Sequence, residues 1–520
     1  MTLTPKTTDE DKRRDSKRDD AHLDGFGPLP VALETELRKL EQAFTVDTAK
    51  LKEISLHFEN ELRKGLSRVS RCLLPSPPSS PHSDESDSED YFGFQTEEGN
   101  LPMNPTWVLG WPSGRETGEY LTLDLGGTKL RICWVTLSDR NNEPIVDQEI
   151  YQIPEHYKAG EAEQLWSFLA NSIADFVQDR ELEPDEGTVL PLGFTFSYPA
   201  VQEYIDHGVL HTWTKGWDIK GVEGHDVAGQ LRQAIRRKGL PIDIVALMND
   251  TTGAMIASAY HDPETIIGAI TGPGCNACYM ENCGSISKLD GHSLPANLPM
   301  AINCEYGAFD NEHLVLPRTE YDVAIDEESP RPGEQAFEKM SAGMYCSEIF
   351  RQIVLDLWTR KLVFKGQSAT KLKVPYVLDI DFMFDLEEDF SHKLSKTRML
   401  LRSVLQLDAN DAELLFCRHI VEIINTRSTR LSTCGVSAIC RKKDIKSGHV
   451  AADAVMASRP RLKARWAQAL GEVLDWPQDR EHDPIIMTVA RDGSGVGAAV
   501  ISAMTLQRIA DGDLTGVKQK

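Results

Sequence analysis

A chain of 520 residues, 41% of them hydrophobic, is too long for one compact core and fills two or three domains. Fifty-six basic against 80 acidic residues leave a formal charge of −24, which opposes general attraction to nucleic acid or anionic lipid. No stretch resembles a signal peptide or approaches the roughly 20 apolar residues of a spanning helix, so a soluble intracellular protein without membrane insertion is expected.

In chain order, residues 1–28 carry the mixed-charge run DEDKRRDSKRDD without apolar periodicity and read as a disordered tail. Lys12-Arg13-Arg14 and Lys17-Arg18 fit a nuclear address, while the interleaved acids fit a solvated tail. The expected compartment is the cytoplasm, with a nuclear visit as the alternative. Residues 29–70 predict two amphipathic helices, with Leu33, Leu37, Leu40 and Phe44 on the first, Leu51, Ile54, Phe58 and Leu62 on the second, and Thr48 as the cap between them.

Residues 71–98 are rich in Pro and Ser and then acidic, a composition that buries no core and reads as a disordered insertion. Within 73–90, Ser76 and Ser80 precede proline, and Ser83, Ser86 and Ser88 stand among acids. This stretch is read as a phosphorylated segment for a regulatory protein partner, with a passive linker as the alternative.

Order resumes at Gly118–Leu137, where β-rich runs flank a Gly-Gly turn as a hairpin. The runs VLPLGFTFSYP, DIVALMND and TIIGAITGPG then alternate with helical stretches, TTGAMIASAY and the long run Glu334–Trp358, which predicts an α/β architecture. Two glycine-tipped turns, GGT and GPG, hint at duplicated halves. Ten cysteines without framework spacing predict reduced thiols, and Cys275-x-x-Cys278 reads as two small semi-buried side chains rather than a metal or redox pair.

Asp124-Leu125-Gly126-Gly127-Thr128 sets an acid at a strand end, then glycines whose amides can face a phosphate, then a hydroxyl. Asn249-Asp250 stands at another strand end before a helix, where the acid serves either as general base or as helix cap.

The strings LDLGGTKLR, LGFTFSYPA, HTWTKGWDIKGVEGHDV, ALMNDTTGAMIASAY, GPGCNACYMEN, AINCEYGAFDNEH and PRPGEQAFEKMSAG together resemble the hexokinase family, closest to its fungal glucokinase-like members. The resemblance runs from about Thr45 to Asp513, apart from the insertion. It implies an α/β fold of two actin-like (ribonuclease H-like) domains around a cleft. Residues 99–249 would form a small domain completed by the C-terminal helix 496–512, and 250–495 a large one. The implied reaction is phosphorylation of a hexose 6-hydroxyl by ATP.

By the same resemblance Asp250 is the catalytic base, and Ser197, Thr214, Lys215, Asn249, Asp250 itself, Asn276, Glu305 and Glu338 hold glucose or another hexose. Asp124, Gly126, Gly127, Thr128, Lys129, Gly272, Pro273 and Gly274 occupy the nucleotide positions. Three departures fall there. Gly272-Pro273-Gly274 replaces Gly-Thr-Gly, losing a hydroxyl and an N–H. Ile380, Asp381 and Phe384 replace Thr and two Ser beside the nucleoside. Asp453-Ala454 lacks the family's Gly-Ser after the aspartate. At roughly 1.5–3 kcal/mol for each bond lost to a charged phosphate, the predicted deficit is about a thousandfold or more in nucleotide affinity or rate.

The reading that follows is a hexose-binding relative with weak or absent ATP use, acting as a carbon or nutrient sensor. Its alternatives are a working ATP:hexose kinase, for which ATP with Mg is the cofactor, and an interaction scaffold.

Overall fold

The computed structural model describes residues 26–67 and 101–518, apart from Glu183, Asp185, Glu186, Lys215 and the side chain of Val455. The tail to residue 25 and the segment 73–90 lie outside the described residues.

Helices α1 (Val31–Phe44) and α2 (Thr48–Gly65) come first, and Leu51, Ile54, Phe58 and Leu62 form a fully buried stripe on α2. Asp47, not Thr48, caps α2 by accepting the Lys50 N–H; Thr48 is already helical and its hydroxyl donates to Glu472. Strand β1 (Asn104–Leu109) precedes β2 (Gly118–Leu125), β3 (Lys129–Leu137), β4 (Ile145–Gln152), helix α3 (Ala162–Asp179) and β5 (Leu190–Phe196). The hairpin β6 (Ala200–Tyr204) and β7 (His207–Leu210) leads to α4 (Val227–Arg237), β8 (Ile242–Met248) and α5 (Asp250–His261).

The second half runs β9 (Thr265–Thr271), β10 (Cys275–Asn282), β11 (Pro299–Asn303), α6 (Glu320–Glu328), α7 (Ala336–Ser341), α8 (Gly343–Thr359), α9 (Ile380–Glu387), α10 (Ser395–Val404) and the long α11 (Asp411–Lys443). It ends with β12 (Gly448–Ala452), α12 (Ala454–Ala457), α13 (Pro460–Val473), β13 (Ile485–Val489) and α14 (Ala498–Ala510).

The strands form two main sheets of one design. In β4-β3-β2-β5-β8 the first three strands are an antiparallel meander and β5 and β8 add in parallel. In β11-β10-β9-β12-β13 the same order recurs, with β12 and β13 parallel to β9. The glycine-tipped turns GGT and GPG join equivalent strands, β2 to β3 and β9 to β10. Each sheet backs onto its own apolar core, one built around Leu123, Leu169, Phe194 and Leu231, the other around Phe58, Ile302, Ile349 and Ile439.

The strand β1 does not belong to the 99–249 unit expected from the sequence. It extends the second sheet by pairing antiparallel with β11, Asn104 opposite Asn303, so the chain enters the large lobe before it builds the small one. Helices α1 and α2 join that lobe too, resting on α11 with Ser55 and Ser437 hydroxyls 2.7 Å apart. Helix α14 packs on β2, β5 and β8 of the small lobe. The run Glu334–Trp358 is two helices rather than one, because Ala342 turns extended and the Gly343 N–H donates to the Gly272 carbonyl at 2.8 Å.

Between the lobes, α5 crosses a π-turn at Gly493–Gly497 so tightly that a Cβ on Gly253 would collide with the Gly493 carbonyl oxygen, and one on Gly497 with that of Gly253. Glycine is required at this crossing for space rather than for dihedral freedom.

Candidate active site

The site assembles where strands end. β8 stops at Met248, and Asn249 caps α5 by accepting the Thr251 N–H at 2.8 Å. Asp250 is the first helical residue, and its Oδ1 accepts the same N–H at 2.7 Å and the Thr251 hydroxyl at 3.2 Å. The capping task therefore falls to Asn249. Asp250 is fixed by one oxygen, and its Oδ2 has no protein partner among the described residues.

From β10, Asn276 donates its Nδ2 to Asn303 Oδ1 at 2.7 Å and reaches toward Asn249 Oδ1 at 3.5 Å. Its own Oδ1 accepts the Glu305 N–H at 2.9 Å. Asn303, at the end of β11, donates to Glu305 Oε1 at 2.8 Å. Glu305 is held in the left-handed region, φ 51°, a costly backbone for a residue with a Cβ. Asn303 was not among the sequence candidates. The only sequence signal was its place two residues before Glu305 in the string AINCEYGAFDNEH.

Glu338 sits on the short helix α7, and its Oε2 accepts the Cys275 N–H at 2.9 Å. A Cβ on Gly274 would lie 2.7 Å from that oxygen, and one on Gly307 3.2 Å from Glu338 Cβ. Gly274 makes room for this carboxylate, and Gly307 for Gln335 Oε1, which a Cβ there would strike, as well as for Glu338. Gly274, expected to serve phosphate, lies against the Glu338 carboxylate. Burial pushes the Cys275 thiol well up, with Glu338 adding to it, and burial pushes Cys278 to about 12. Both stay protonated and packed on β10.

On the small lobe, Ser197 is buried after β5 and Thr214 is half-buried; Lys215 lies outside the described residues. Tyr198 donates its hydroxyl to the Gly126 carbonyl at 3.2 Å, and Trp217 donates Nε1–H to the Gly127 carbonyl at 2.8 Å. The Thr128 carbonyl accepts the Ile153 N–H at 3.1 Å. With its carbonyls engaged, the 126–128 turn offers an anion the N–H groups of Gly127 and Thr128 and the Thr128 hydroxyl. Asp124 lies at the end of β2 near Arg131, whose guanidinium pairs with Asp492 at 2.6 Å. Lys129 is exposed at the start of β3.

The opposite turn has little left to offer a phosphate. The Thr271 N–H donates to Asp453 Oδ2 at 2.7 Å, the Gly272 N–H donates to the Gly274 carbonyl at 2.9 Å, and Pro273 has none. Asp453 also accepts the Met456 N–H at 3.1 Å, capping α12. Where Thr and Ser were replaced, Ile380 packs against Gly343 so closely that a Cβ there would collide with it. Ile380, Met383 and Phe384, with Thr271, Gly343 and Ser428, line a crevice with an interior of about 20 Å³, room for one water. Arg459 lies 4.2 Å over the Phe384 ring and 2.7 Å from Glu388.

Two lobes built on the same five-strand order, with acids and amides meeting where they join, define the two-domain actin-like fold. Two hexokinase family profiles match residues 36–260 and 266–504. A hexokinase of Emericella nidulans is 48% identical over 505 residues, 96% of this chain and 97% of its own length. Hexokinase-1 of Saccharomyces cerevisiae is 43% identical over 506 residues, 96% of this chain and 98% of that one. Among solved structures, a Schistosoma mansoni hexokinase complexed with glucose superposes with a TM-score of 0.78 at 29% identity, covering 91% of this chain and 99% of that one. The chain belongs to the hexokinase family, whose kinases use ATP with magnesium.

Proposed function

We propose that the chain transfers the γ-phosphoryl group of ATP to the 6-hydroxyl of glucose or a close hexose relative, with Asp250 as the base. The observation that carries this reading is the hydrogen-bonded set Asn249–Asn276–Asn303–Glu305 beside an Asp250 fixed by one oxygen only. A hexose suits it because each ring hydroxyl both donates and accepts, and the carboxylates of Glu305 and Glu338 accept strongly. The names of the relatives favour the kinase over the sensor expected from the sequence.

In the step itself, Asp250 Oδ2 takes the 6-hydroxyl proton as that oxygen attacks phosphorus, and the bridging P–O bond breaks with its electrons going to ADP. Asp124, Asp250 and the Thr128 hydroxyl carry oxygens of the kind a hard cation takes and would hold magnesium, which when bound would supply neutralisation of phosphate charge.

Thr271, Gly272, Pro273 and Ile380 favour a specific refinement: a weak nucleotide side, with the apolar crevice having to open for ATP. If it never opens, the second reading holds, a sugar-binding regulator without turnover. Steady-state kinetics with glucose over a wide ATP range separate the two. The kinase reading expects saturable turnover with a KM for ATP at least about tenfold above that of the Pro273→Thr variant. Glucose binding without turnover at any ATP concentration contradicts it.

A further inference from the structure

Arg331 stands in a part of the large lobe that the reaction as described does not use. The loop Ser329-Pro330-Arg331-Pro332-Gly333 is stiff by composition, two prolines fixing φ on either side of the arginine. It is also tied down. Lys339 Nζ donates to the Arg331 carbonyl at 2.8 Å and to Asp326 Oδ1 at 2.7 Å, and the Gly333 N–H donates to Asp326 Oδ1 at 3.0 Å. Arg318 holds the other oxygen of Asp326 at 3.2 Å. Lys339 is the neighbour of Glu338 on α7, so this loop and a sugar-site carboxylate share one anchor.

The Arg331 guanidinium leaves its own lobe. Its Nη2 donates to the Thr212 hydroxyl at 2.5 Å and to the Trp213 carbonyl at 3.0 Å, both on the small lobe. The next residue after that carbonyl is Thr214. On the far side, Glu223 accepts the Trp213 N–H at 2.6 Å and the Thr212 hydroxyl at 3.2 Å, and Trp213 Nε1–H donates to the Ile219 carbonyl at 3.1 Å. The 212–214 stretch is gripped from one side by its own lobe and from the other by Arg331. A surface arginine whose task was solubility would not spend two donors across a cleft. Its one acidic partner among the described residues, Glu334, is 3.4 Å away and half-exposed, too weak a pair to explain the pose.

We infer that Arg331 is a positioning residue for the sugar site: it fastens the strand of chain carrying Thr214 to the loop anchored beside Glu338, and so favours the closed arrangement in which both lobes reach one sugar. This rests on the reading of the cleft as a hexose site. Because Arg331 touches a backbone carbonyl and a side chain outside the catalytic set, it acts on how often the site is complete and not on the chemistry of Asp250.

The test uses the full-length protein and glucose calorimetry on four forms: unmodified, Arg331→Ala, Thr212→Val, and the double variant. Arg331→Ala is expected to weaken glucose binding about three- to tenfold and Thr212→Val less. The double variant should match Arg331→Ala alone, since the two share a bond. Arg331→Lys should recover part of the loss. Where turnover is measurable, KM for glucose should rise with kcat at saturating glucose changed less than twofold. If Arg331 merely stabilised its own loop, thermal stability would fall and the two substitutions would add, which overturns the proposal. Unchanged glucose affinity in Arg331→Ala overturns it as well. Failure of the unmodified protein to bind glucose would instead sink the hexose reading on which it stands.

Discussion

At the scale of the residue, the sugar side and the nucleotide side differ in who owns the donors. Asn276, Asn303 and Glu305 spend their groups on one another in a chain that ends in the Glu305 carboxylate, a preorganised polar array. Asp250→Asn should lower phosphoryl transfer by about 10²–10⁴-fold, the usual worth of a positioned base, while glucose calorimetry changes little. On the nucleotide side the amides of Thr271 and Gly272 are already spoken for. Pro273→Thr should lower the KM for ATP about tenfold, and adding Ile380→Ser should lower it further by opening the crevice. An unchanged KM in both would place the obstruction elsewhere. The candidate sugar residues were legible because each sits inside an unmistakable string. Pro273 was legible as a missing donor, but the capture of the Thr271 N–H by Asp453 was not, since the two lie 182 positions apart.

At the scale of the element, packing decides what local pattern leaves open. The sequence 334–358 reads as one helix, and only the docking of the Gly343 N–H on Gly272 breaks it into α7 and α8. The strand β1 shows the same limit, because its place beside β11 is a pairing across nearly two hundred residues that no local pattern announces. Helix α5 carries Asp250 and crosses the π-turn through Gly253. Gly253→Ala should cost about 1–3 kcal/mol by overpacking and lower activity by shifting the base, seen as a lower Tm together with reduced kcat.

A buried pair joins α6 to α11: Asp322 accepts both Arg427 Nη atoms at 2.7 and 2.8 Å. Burial alone would raise the Asp322 carboxyl, but Arg427 and the Thr319 cap overcome it and hold it below the ordinary range. A depressed carboxyl stabilises fully above its unfolded value, about pH 3.9, and that stabilisation fades as pH falls through the folded one. Asp322→Ala should cost about 3–5 kcal/mol at neutral pH by stranding Arg427. In denaturant titrations the gap to the unmodified protein should narrow below about pH 4, and a gap independent of pH would assign the loss to packing.

At the scale of the whole molecule, the duplicated five-strand order and the glycine crossing between lobes make closure the natural motion, and on the proposed reading a hexose would be held by Ser197 and Thr214 from one lobe and Asn276, Glu305 and Glu338 from the other. The duplication was visible in sequence only as two glycine-tipped turns, because equal topology does not require equal side chains. The most direct test of the central claim is an enzyme-linked phosphorylation assay on full-length protein freed of host hexokinase, run with saturating glucose and rising ATP beside the Asp250→Asn variant. The account predicts ATP-saturable glucose phosphorylation that Asp250→Asn removes while the variant still binds glucose. Glucose bound by the unmodified protein with no phosphate transferred at any ATP concentration would contradict it.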